Sequence, residues 1–188
     1  LGGLIGGMIS VSIYAYMKKL SWTVVADWVA PYIILGQGIG RLGCFFVGCC
    51  YGLPSNKSWL FSFPHGRPPT TYDSFKYNYP DVFNNFVAPF YQAGDFIKVH
   101  PTQLYEFIMY ICIFFYLIFK RKHKKYNGQI MCEYLFFAGL SRFIIEIYRL
   151  NPIYIMNLTS AQIISSFMIL ISLIIFANKS QYITIWKK

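Results

Sequence analysis

Apolar residues run along this chain in long blocks, without the alternation of a half-buried strand or the single stripe of a surface helix. Five blocks reach or approach the roughly 20 residues that carry a helix across a bilayer core of about 30 Å. They are Leu1–Met17, Trp28–Gly48, Pro101–Phe119, Gln129–Tyr148 and Leu158–Ala177. Between them lie Lys18-Lys19, the stretch Tyr51–His100, the run Lys120-Arg121-Lys122-His123-Lys124-Lys125 and a short turn at Asn151-Pro152. The stretch Tyr51–His100 holds six of the nine prolines and three of the four aspartates, with no long apolar run. It predicts an irregular head, or one of short strands, outside the membrane between the second and third spans. The pattern thus predicts an all-α polytopic membrane protein of about five transmembrane helices. It forms one membrane domain over residues 1–188, with 51–100 inserted as an extracytoplasmic head. The opening at Leu1 shows no basic n-region and no cleavage-site pattern, so no signal peptide is expected.

Composition sharpens this picture. Of the 188 residues 56 % are hydrophobic, 20 % aromatic and only 13 % charged, against about a quarter charged in soluble domains. The formal net charge of +10 would suit nucleic acid if it formed a patch on a soluble fold, but the basic residues flank the apolar blocks. Lys18, Lys19, the five of the 120–125 run, Lys179, Lys187 and Lys188 make ten of the 17 lysines and arginines. All ten fall on one side if the spans alternate, and short cytoplasmic loops collect Lys and Arg. The expected orientation puts the chain's N-terminus outside and its C-terminus in the cytoplasm. No nucleic-acid partner is expected. Small residues at Gly2-Gly3, Gly6-Gly7, Gly36, Gly38 and Gly40 suit close helix approach.

Charges inside a span are costly and mark cavities or buried pairs. Arg41, Arg142 and all three glutamates, Glu106, Glu133 and Glu146, fall within predicted spans. Arg41 lies 13 residues beyond Trp28, and Arg142 lies 13 beyond Gln129. At 1.5 Å per residue both sit about 20 Å from the inner face. Glu106 enters from the outside at similar depth, and Glu146 and Arg149 share a helical face with Arg142. Glu133 lies near the inner boundary and carries no assigned role. Arg142–Glu146 alone could be a self-satisfied structural pair. Arg41, however, has no acid within reach on its own helix. Two forked cations in the outer leaflet suit a bidentate anion, and a lipid phosphate is the abundant one there. An outward-opening cavity for a membrane lipid's phosphate is expected.

Three strings carry more than composition: Gly40-Arg41-Leu42-Gly43-Cys44-Phe45-Phe46-Val47-Gly48-Cys49-Cys50-Tyr51-Gly52, His100-Pro101-Thr102-Gln103-Leu104-Tyr105-Glu106, and Ser141-Arg142-Phe143-Ile144-Ile145-Glu146-Ile147-Tyr148-Arg149. In this order and topology the chain resembles the prolipoprotein diacylglyceryl transferases, multi-pass enzymes of the bacterial plasma membrane. The resemblance covers nearly the whole chain and implies that the family's first spans precede Leu1. It implies transfer of the diacylglyceryl group of phosphatidylglycerol onto the lipobox cysteine thiol in the signal peptide of a prolipoprotein, with glycerol phosphate leaving. It assigns His100, Glu106 and Arg142 to catalysis, and Arg41, Arg142, Gln103, Tyr105, Glu146 and Arg149 to substrate binding. No cofactor and no metal are expected. The alternative reading is a non-catalytic phospholipid-binding accessory protein of the same fold.

The first string departs from the family signature GRxGNFxNGExxG: Cys44 and Val47 replace the two Asn, and Cys49 replaces the Glu. Leu1 stands where the family has His, and Ala138 where it has Tyr. Cys112 and Cys132 lie in apolar spans and read as small core residues. Cys44, Cys49 and Cys50 cluster in sequence, with three readings open. They could form a redox or metal site, although C-x4-C-C is not a usual ligand spacing. Cys49 could be a nucleophile that accepts the lipid first. Otherwise it is a bystander, inert or in a disulfide.

Overall fold

The computed structural model describes residues 2–151 and 158–185; Leu1, Pro152, Lys187 and Lys188 of the expectations above lie outside them. Regular structure among the described residues is helical. It comprises α1 (Gly2–Met17), α2 (Trp22–Val47), α3 (Tyr72–Asn78), α4 (Pro80–Val82), α5 (Thr102–Arg121), α6 (Gln129–Glu146) and α7 (Ser160–Ile185), with a π-turn at Phe83–Val87 after α4. Only isolated β-bridges join extended segments.

Among the described residues three helices are long and apolar enough to cross a membrane: Trp22–Val47, Thr102–Arg121 and the Ser160–Asn178 part of α7. The helix α1 has 16 residues, and α6 carries Glu133, Arg142 and Glu146 within its 18. Those features set both apart from the three apolar spans. On α7 Ile164, Phe167, Leu170, Ile171, Ile174 and Phe176 are exposed. Such a face is unfavourable in water and suits hydrocarbon.

The boundaries follow local chemistry. Whereas the hydropathy pattern starts the second block at Trp28, α2 begins six residues earlier, its first turn closed by Val24 and Val25 N–H groups on the Ser21 carbonyl. The end of α6 comes two residues before Tyr148. There the N–H groups of Ile147, Tyr148 and Arg149 tighten onto the carbonyls three residues back, at 3.3, 3.0 and 3.1 Å, as helix ends often do. At the start of α7, Thr159 Oγ1 accepts from Gln162 N (3.3 Å) and Gln162 Oε1 accepts from Thr159 N (3.0 Å). This is a reciprocal capping box.

The chain forms two compact units: residues 1–36, 110–140 and 165–188, and residues 37–109 and 141–164. In the first, Ala30 and Ile34 of α2, Tyr110 and Leu117 of α5, and Ile130, Tyr134 and Ala138 of α6 make the core. Asp27, a lone acid at the edge of an apolar run, is buried there. Its carboxylate accepts from Gly128 N (2.8 Å) and Met131 N (3.1 Å) at the start of α6, and from Lys124 Nζ (3.1 Å). In the second unit Tyr51, Phe75, Phe83, Val87, Ile97 and Val99 form the core; the 51–100 segment, expected to be irregular or of short strands, instead packs α3, α4 and the π-turn around this apolar centre. The isolated bridges Gly52–Arg149, Pro54–Val99, Phe61–Val99 and Thr71–Phe96 tie it together.

Candidate functional site

The second unit gathers Arg41, Glu106, Arg142, Glu146 and Arg149 into one network, while Glu133 lies in the first unit against Gln129. Glu106, in the second turn of α5, is buried and pairs with three guanidinium groups. Arg41 Nε contacts its Oε2, Arg142 Nη1 lies 2.9 Å from its Oε1, and Arg149 Nη1 lies 3.7 Å from the same oxygen. Glu146, also buried, takes Arg142 Nη2 at 2.7 Å and Arg149 Nε at 4.0 Å. Its Oε1 accepts from Asn151 Nδ2 (2.6 Å) and Thr159 Oγ1 (2.8 Å). Taking carboxylates out of water is expensive unless charge and hydrogen bonds compensate; here the arginines supply the charge and Oε1 of each acid takes the hydrogen bonds. Three cations against two anions leave one positive charge in surplus. The arginines also reach toward the surface where the acids do not: side-chain exposure is 23 % for Arg41 and 20 % for Arg142, against 1 % for Glu106 and 0 % for Glu146.

A weave of three segments holds this end of the site. Gly52 N donates to the His100 carbonyl (2.8 Å), Leu53 N to the Tyr148 carbonyl (2.8 Å) and His100 N to the Leu53 carbonyl (3.1 Å). The segments carrying His100 and Arg149 therefore share the backbone of Gly52 and Leu53. Only glycine fits at 52, because a Cβ there would collide with the Tyr148 carbonyl oxygen and Thr102 Cγ2.

His100 Nδ1 lies 3.1 Å from Tyr105 Oη, and its ring sits among Trp59, Tyr105 and Tyr148, with centroids 5.9, 6.2 and 5.5 Å away. Burial first, and Lys57 second, hold its pKa below the usual 6.5, so the imidazole is neutral at pH 7. Gln103 is buried. Its Nε2 donates to the Cys49 carbonyl (2.6 Å), while its Oε1 has no hydrogen-bond partner among the described residues. Thr102 Oγ1 donates to the Cys50 carbonyl (2.9 Å). The Cys49 thiol is pushed up to about 11, by burial first and then by the neighbouring Cys50 and Cys44.

The structure thus joins Arg41, Glu106, Arg142, Glu146 and Arg149 directly. It sets Tyr105 against His100 and hangs the Cys49 loop from Gln103. Arg41 has no acid on its own helix because its partner comes from another. Asn151, Thr159, Trp59 and Lys57 join the site only in the folded chain. The Thr159-x-x-Gln162 box was a readable signal for Thr159; the others carry none in one sequence.

Comparison with known proteins bears on what this network belongs to. The prolipoprotein diacylglyceryl transferase family matches residues 1–178. This chain belongs to that family. A protein of Clostridium tetani (strain Massachusetts / E88) named phosphatidylglycerol–prolipoprotein diacylglyceryl transferase is 37 % identical over 179 residues, covering 93 % of this chain and 61 % of its own length. Its namesake from Oceanobacillus iheyensis is 33 % identical over 174 residues, 92 % of this chain and 55 % of that protein. One from Clostridium botulinum (strain 657 / Type Ba4) is 33 % identical over 180 residues, 94 % and 62 %. The chain spans 55–62 % of the length of these diacylglyceryl transferases.

Proposed function

We propose that this chain transfers the diacylglyceryl group of phosphatidylglycerol to the lipobox cysteine thiol of a prolipoprotein. The observation that carries this reading is the surplus of one positive charge among Arg41, Arg142, Arg149, Glu106 and Glu146. A phosphodiester carries one negative charge and offers two equivalent oxygens. Guanidinium forks suit it better than point charges do. The buried carboxylates keep the arginines in place, and the exposed edges of Arg41 and Arg142 take the lipid phosphate.

In the transfer a C–S bond forms and the carbon–oxygen bond to phosphate breaks. Glycerol phosphate leaves with the bonding pair, so negative charge grows on the phosphate, where Arg41 and Arg142 lower its energy. The thiol proton must go elsewhere, since the thiolate is the nucleophile. Neutral His100, braced by Tyr105, accepts or relays that proton, which ends on the departing phosphate or in water. The free Gln103 Oε1 accepts from a hydroxyl of the lipid's glycerol headgroup. Orientation follows the same reading. The 51–100 head and the chain's N-terminus face outward, the C-terminus faces the cytoplasm, and five spans cross the plasma membrane. The stacking of the Arg121 guanidinium 4.4 Å from the Trp28 ring supports an interfacial position for the basic run.

Cys44, Val47 and Cys49 in place of polar signature residues favour the second reading, a phospholipid-binding protein without catalysis. The test is labelled phosphatidylglycerol with a lipobox peptide. Label recovered on the peptide thiol is the expected result. Lipid retained without any transfer supports the second reading, and neither binding nor transfer contradicts both.

A further inference from the structure

The residues that end α2 form a second cluster, which the proposed transfer does not use. Gly48 and Cys50 both have left-handed backbones, at φ +68° and +60°. That is easy for glycine and strained for cysteine. Between them the chain folds back on the helix it has just left, with Cys49 N donating to the Cys44 carbonyl (3.1 Å). The fold-back brings the Sγ atoms of Cys44, Cys49 and Cys50 within 4.8 Å of one another. All three are free thiols. The loop is held at both carbonyls, Cys49 by Gln103 Nε2 and Cys50 by Thr102 Oγ1. A C-x4-C-C spacing that is not a usual ligand pattern in sequence therefore becomes a fixed triangle of sulfurs once these two clamps are in place.

We propose that Cys44, Cys49 and Cys50 bind a soft monovalent d10 cation of the Cu(I) type through three thiolates. Thiolate sulfur selects soft cations. Among the described residues no fourth Cys, His, Asp or Glu joins the group, which disfavours the four-coordinate shell of structural zinc. Neighbouring sulfurs that resist losing their protons together are relieved by a cation at their centre. Binding releases those protons to solvent, with no redox change in protein or metal. Cys49 is then a ligand and not a nucleophile, and the lipid site keeps its own chemistry.

The test is an anaerobic Cu(I) titration of the full chain in detergent against the competing chelator bicinchoninate. One equivalent is expected to bind. Cys44→Ser, Cys49→Ser or Cys50→Ser should each lower affinity at least tenfold, while Cys112→Ser and Cys132→Ser leave it unchanged. Copper X-ray absorption on the unaltered chain should show a single shell of three sulfurs, a readout that needs no variant to fold. Binding that survives the triple serine variant, a two-sulfur or mixed-donor shell, or preference for Zn2+ over Cu(I) overturns the proposal. So does a disulfide among the three cysteines in protein extracted anaerobically with thiols blocked.

Discussion

At pH 7 His100 is a neutral base with one ring nitrogen against Tyr105 Oη. Because burial and Lys57 lower its pKa in the folded chain, the folded state binds fewer protons than the unfolded one below about pH 6.5. Stability from this group is therefore complete above that pH and is lost as pH falls through it. Activity relying on the neutral ring should keep its acid limb below pH 6.5, and Lys57→Ala should move that limb upward by removing the smaller of the two causes. A pH–rate profile unchanged in Lys57→Ala would separate His100 from the rate. His100, Gln103 and Glu106 were legible as a site because they stand in one motif. Their partners were not: Lys57, Trp59 and Cys49 meet them only through folding, across 41 to 54 positions that no periodicity links.

The elements were read well where hydropathy decides and less well where capping does. Blocks two, three and five correspond to α2, α5 and α7, yet the start of α2 and the end of α6 were misplaced. The Ser21 carbonyl and the tightened turn after Glu146 set those ends, not apolarity. The 51–100 segment was expected to be irregular or of short strands; residues 72–87 instead wind into α3, α4 and the π-turn, and only the extended parts pair through isolated bridges. Gly52 is the tightest point of that pairing. Gly52→Ala should destabilise the chain by about 1–3 kcal/mol, as overpacking does, because the new Cβ strikes the Tyr148 carbonyl. Thermal unfolding in detergent should show the loss as a drop of several degrees. An unchanged transition would mean that the 52–53, 100 and 148–149 segments do not act as one piece.

For the whole molecule, the distribution of basic residues predicts an orientation that can be checked from outside the cell. With native cysteines replaced, Asn56→Cys should react with an impermeant thiol reagent in intact cells and Asn127→Cys should not; the reverse pattern would invert the topology. The sequence positions predict equal depth for Arg41 and Arg142. Their convergence on Glu106 from two other helices was not legible there, because helix position gives depth but not which faces meet. That convergence makes the proposed lipid-phosphate site, a cation cluster with one positive charge in surplus. The direct measurement is the affinity of the detergent-solubilised chain for phosphatidylglycerol and for uncharged diacylglycerol, with Arg41 and Arg142 varied singly. Arg41→Ala or Arg142→Ala should weaken phosphatidylglycerol binding by about 1.5–3 kcal/mol, roughly 10- to 150-fold, with lysine restoring only part and diacylglycerol affinity unmoved. Equal phosphatidylglycerol affinity in the wild-type chain and both alanine variants would make the arginines structural ions and rule out a lipid-phosphate site there.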